Sequence, residues 1–152
     1  MKQNIKFSEL KSRTEALVAK FITIPERIGD DISGRSIAVQ SNILVVAALA
    51  KIVTPILENL QQTIGFITAE DNGENGSGEE KLTIDPEIVE ATEDAFGVSA
   101  DSVLPFALTT SAITLPIAEE MIAKAIALLD EADTFTSEQA GNNSTENETK
   151  TA

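Results

Sequence analysis

Val45, Leu49, Ile52, Ile56, Leu60, Ile64 and Ile67 recur at spacings of three and four, the period of one face of a helix. Val46, Val53 and Leu57 widen that stripe, so the middle turns are apolar nearly all round. A helix of this kind is either a core helix or a membrane helix. Within Ile43–Leu57, fifteen residues long, Lys51 is the single charge. The pattern predicts one long helix over about 36–68. Pro55 removes a backbone hydrogen bond and crowds the preceding turn, so a kink is expected near Ala50–Thr54.

The remaining pattern is also helical. Leu10, Thr14, Leu17 and Phe21 predict a helix from about Glu9 to Ile22, capped by Ser8 and ended by Ile24-Pro25. Ile24, Ile28 and Ile32 predict a short second helix, weakened by Gly29 and closed by Ser33-Gly34. Asp85-Pro86 is a helix start and Gly97 a left-handed stop. Val103–Ala118 carries no charge but two prolines, which predicts a short helix, a break, and a new helix near Pro116. The last helix shows Met121 or Ile122, then Ala125, Ile126, Leu129 and Ala132, on one stripe. Residues 69–84 read as a flexible acidic loop, with Leu82-Thr83-Ile84 a short extended piece, and 136–152 as a disordered polar tail. The fold class is therefore all-α: an irregular helical bundle around one proline-kinked apolar helix, in a single domain over 1–135. Pro55–Leu60 faintly echoes Pro116–Met121, which would divide the chain into two similar helical units.

Composition narrows the chemistry. The chain has no Cys and no His, which removes thiolate and imidazole chemistry from catalysis and metal binding. Six Phe are its only aromatic residues, so the core is aliphatic. The net charge is −14 and uneven: residues 1–35 hold seven basic and five acidic residues, residues 70–152 three basic and nineteen acidic. Such a chain is repelled by nucleic acid phosphates, and no nucleic-acid partner is expected. Met1–Leu10 has no apolar core behind its lysine, so no secretory leader is expected there.

The local motifs are weak. Asp71–Gly76 has the opening of a calcium loop, but the ligand positions three and twelve fall on Gly73 and Leu82. Asn75, Asn142, Asn143 and Asn147 fit the glycosylation pattern within a polar composition that explains them as well. Lys51 reads as a stem lying on apolar surface with its head in water. Glu119-Glu120, Glu93-Asp94 and Asp30-Asp31 are adjacent in sequence and read as solvated faces rather than an acid–base dyad. Ala95–Val103 resembles the first loop of acyl carrier proteins, which are also small, acidic and helical. The nearest serine, Ser111, lacks the Asp-Ser-Leu context and sits too close to Gly97, so no carrier role follows.

No catalytic constellation, cofactor site or metal site emerges, and no enzyme is expected. The leading expectation is a non-catalytic structural or assembly protein, cytoplasmic or in a virion, such as a virion component or an assembly chaperone. It would act by helix-mediated association with itself or another protein. The interface candidates are Val45, Leu49, Ile52, Ile56, Leu60, Ile122, Ile126 and Leu129. One alternative is a small membrane protein with hydrophobic segments at about 36–57 and 98–118. Eleven Ile, Leu and Val contribute roughly −5 kcal/mol to inserting the first segment, of which Lys51 alone returns about 2.5–3.5 kcal/mol. A further alternative is a helical module holding an apolar ligand between its two uncharged helices.

Overall fold

The computed structural model describes residues 5–29, 33–70 and 81–150, with side chains as far as residue 135. The elements are α1 (Phe7–Phe21), α2 (Thr23–Ile28), α3 (Ile37–Phe66), β1 (Ile67–Glu70), β2 (Lys81–Ile84), α4 (Pro86–Phe96) and α5 (Ala100–Lys150). The fold class is all-α; among the described residues the β1–β2 hairpin is the only strand structure.

Local chemistry sets most boundaries. The Ser36 hydroxyl accepts from the Val39 backbone amide at 3.2 Å and so caps α3. Gly29 closes α2 at φ 77°, where a side chain would be strained, and its amide reaches the Pro25 carbonyl. The Asp85 carboxylate accepts from the Glu87 amide at 3.0 Å, Pro86 opens α4, and Gly97 ends it in the left-handed region at φ 66°.

Several boundaries differ from the sequence pattern. α1 ends at Phe21, one residue short of the expected Ile22 and ahead of Ile24-Pro25, while Pro25 itself lies in the first turn of α2, where its missing N–H has no intrahelical partner to lose. The break expected before Pro116 is absent, because α5 is a single helix through both Pro105 and Pro116. α3 continues through Pro55, in keeping with the single long helix expected there. α3 stops at Phe66 rather than 68: Ile67–Glu70 pairs antiparallel with Lys81–Ile84, from Ile67 opposite Ile84 to Glu70 opposite Lys81. Both ends of the expected acidic loop are thus strands, and its centre, residues 71–80, lies outside the described residues. So do Ile32 and the side chains of the expected tail.

Within the stretch read as one domain, the chain forms two compact units. One comprises Met1–Val18 and Thr54–Glu119, the other Ala19–Val53 and Glu120–Ala152. Both proline segments of the sequence echo begin in the first unit, so the echo does not map one segment onto each.

In the second unit, Ile24, Val46, Ala125 and Leu129 form one core layer. Val39, Ile43 and Ala132 form the next, with Ile28 and Phe135 against it. Successive layers descend α3 as they ascend α5, so these two segments are antiparallel. Asn42 Nδ2 donates to the Leu128 carbonyl at 3.1 Å, and Arg27 reaches Asp130 and Asp133, each at 2.8 Å. In the first unit the buried side chains include Phe7, Leu10, Thr14 and Leu17 from α1, Leu57 and Leu60 from α3, and Val103, Ser111, Leu115 and Ala118 from α5. Arg13 bridges Glu119 and lies 3.4 Å from Glu9.

The buried residues follow a three-four spacing, unbroken on α5 from Ser111 to Ala132 and with one step of seven on α3, from Val46 to Val53. On α3 they are Val39, Ile43, Val46, Val53, Leu57 and Leu60; on α5 they are Ser111, Leu115, Ala118, Ile122, Ala125, Leu129 and Ala132. This is the residue spacing of a coiled-coil seam. Full burial of each large aliphatic side chain contributes roughly 1.5–3 kcal/mol.

Candidate functional site

The structure divides the eight interface candidates between two faces. Leu60, Ile122 and Leu129 are buried in the seam. Leu49, Ile56 and Ile126 are half-buried. Val45 and Ile52 face outward, 49% and 53% exposed. The stripe predicted for the apolar helix is therefore turned by one position over residues 45–52, where Val46 and Val53 point inward instead. Neither stripe is more apolar than the other there, so periodicity does not choose between them.

Two residues outside the predicted set complete the outer face: Ile37 is 83% exposed and Leu44 65%. At about 100° per residue, Ile37, Leu44, Val45 and Ile52 fall within an arc of about 100°, opposite Val39, Ile43, Val46 and Val53. Ser41 and Ala48 lie along its middle. This face belongs wholly to the second unit. Its signal was present in the sequence as the series 37, 41, 44, 48, 52, hidden because the helix is apolar all round.

Of the most apolar eighteen-residue window of α3, 28% is buried. α3 is long and apolar enough to cross a membrane, a test that the core helix of a soluble protein also passes. Lys51 is exposed, in keeping with a wet head on an apolar helix.

The first unit has its own exposed apolar side chains. Phe106, Ile113 and Ile117 stand seven and four residues apart on α5, and Phe96 ends α4, a helix with no buried residue. An open groove of about 600 Å³ is lined by Phe7, Lys11, Ile64 and Ile67 among others. A cleft of about 80 Å³ between α3 and α5 is lined by Asn59, Thr63, Thr110, Ser111 and Thr114, with Ile56 and Leu60. The cleft falls well short of the ~300 Å³ at which ligand pockets begin. Ser111 is buried in it, inaccessible to a modifying enzyme.

Arg13 and Arg27 form ion pairs with carboxylates at the surface. The Arg13 guanidinium is held above its ordinary pKa mainly by its hydrogen bond to Glu119, and Arg27 by its bonds to Asp130 and Asp133. Both cations are thus charged at any pH at which the protein is handled. Among the described residues no three carboxylates come together as a metal site. The calcium-like Asp71–Gly76 lies outside those residues. The Thr14 hydroxyl is buried and has no hydrogen-bond partner.

The chain matches no family model, and neither a curated protein nor a solved structure matches it.

Proposed function

We propose that this chain is a non-catalytic assembly protein that associates with another polypeptide through the outer face of α3. The observation that carries this reading is the pairing of two apolar faces on one helix. The inner face is already satisfied by α2 and α5 within the second unit. The outer face, Ile37, Leu44, Val45 and Ile52, is left to water. Contiguous exposed apolar surface on a folded unit marks an interaction site.

A lipid bilayer is the competing cover for the same face, favoured by the length and composition of α3. The rest of the unit weighs against a span. The inner face of α3 packs against segments bearing Arg27, Asp130 and Asp133, whose side chains are 30%, 66% and 77% exposed. A bilayer deep enough to surround α3 would surround these ions too, at a cost of about 2.5–3.5 kcal/mol for each at the bilayer centre.

The test is a photo-reactive benzophenone amino acid in place of Leu44 in the expressed full chain. Irradiation is expected to give an adduct with a polypeptide. Adducts with lipid alone, or no adduct while the same group at Ile122 reacts within the chain, would overturn the reading.

A further inference from the structure

We infer that the polypeptide covering the outer face of α3 is a second copy of this chain, docked antiparallel about a twofold axis between Leu44 and Val45. The inference rests on the assembly reading above and names its partner. An isologous interface requires a self-complementary patch, in which residue i meets residue j and j meets i. The outer face has that property. Placing two copies of α3 antiparallel with the axis between 44 and 45 sets Ile37 against Ile52 of the other copy, Leu44 against Val45, and Ser41 against Ala48. The four exposed large side chains of the face then pair among themselves. The two small residues meet between them, letting the helices approach at the short end of the usual ~8–10 Å.

Charge is nearly absent from the contact itself. The chain as a whole carries −14, which opposes association of copies, yet the face carries Lys51 as its one charge, at its margin. Repulsion between two copies is then long-range and screened by salt, while the contact itself is uncharged. The four side chains expose roughly half of the ~800 Å² per partner typical of a stable interface, so the dimer falls in the weak class. Ala38, Ala47 and the Lys51 stem extend the contact.

The experiment is sedimentation velocity on the full chain, without detergent, over a micromolar concentration series. Wild type is expected to show a monomer–dimer equilibrium that tightens as salt is raised. Leu44→Gln, at an exposed position, is expected to weaken it at least tenfold with an unchanged helical circular dichroism spectrum. Orientation is read independently. The chain has no Cys, so Ile37→Cys and Ile52→Cys single variants can be joined by a short bismaleimide. The mixture is expected to cross-link into dimers, and either variant alone is not, because like positions stand about 22 Å apart along the axis. Ile37→Cys cross-linking to itself would overturn the antiparallel pairing. A chain that stays monomeric throughout would overturn self-association; binding of that monomer to phosphatidylcholine vesicles would point to lipid as the cover. If the benzophenone at position 44 then labels a different protein, the assembly reading stands and the second-copy inference alone fails.

Discussion

The second unit sets two helical segments side by side, 37–53 of α3 and 120–135 of α5, that bury the same three-four repeat. They differ in what lies behind it. On α5 the reverse face carries Glu120, Lys124 and Glu131, with Asp130 and Asp133 on the flank toward Arg27. On α3 it carries Ile37, Leu44, Val45 and Ile52. The α5 segment has one way to lie, because turning it would bury Glu120, Lys124 and Glu131. The α3 segment loses little apolar contact when turned, so its orientation depends on fit with its neighbours. An apolar residue on α5 is therefore a core residue by default, whereas on α3 apolarity alone does not separate core from contact surface.

The comparison breaks most sharply at two residues only two positions apart. Val46→Asp places an unpaired carboxylate in the core layer with Ile24, Ala125 and Leu129, and is expected to cost about 3 kcal/mol or more. Leu44→Asp, on the opposite face, is expected to leave monomer stability within about 0.5 kcal/mol. Urea denaturation followed by circular dichroism, at a concentration where the chain is monomeric, checks both. Equal losses would mean that both faces of α3 are core.

On α5 the corresponding pair is Ile122→Ala and Ile126→Ala. The first opens a cavity in the seam, at about 2–5 kcal/mol. The second trims a half-buried side chain and is expected to cost about 1 kcal/mol. The difference in urea midpoint at constant slope measures it.

Thr14 extends the comparison to α1, where a hydroxyl occupies a seam position without a partner. Thr14→Val keeps the shape and removes the unsatisfied group, and is expected to stabilise by about 1 kcal/mol, read as a raised melting temperature. A modest effect is expected at Arg27→Ala. Its carboxylate partners are well exposed, so the loss should not exceed about 1 kcal/mol and should shrink as salt is raised.

Much of this architecture can be read along the chain. Asp85, Pro86 and Gly97 place α4 because capping and left-handed geometry are local properties of those residue types. The α5 stripe through Ile122, Ala125, Leu129 and Ala132 is legible because charges mark its reverse. The all-α class follows from the same periodicity. Three features are not legible in this way. Pro105 and Pro116 look like helix breakers, yet α5 passes through both, because a helix held by packing on one side tolerates a lost hydrogen bond on the other. The β1–β2 hairpin joins residues eleven or more apart, and no local pattern in Ile67–Glu70 announces its partner. The orientation of α3 depends on Ile24, Ala125 and Leu129 filling the space around Val46. Local backbone preference and the contrast between charged and apolar faces are written into the residues themselves. Where both faces are apolar that contrast is gone, and the shapes of neighbouring side chains choose which face goes inside.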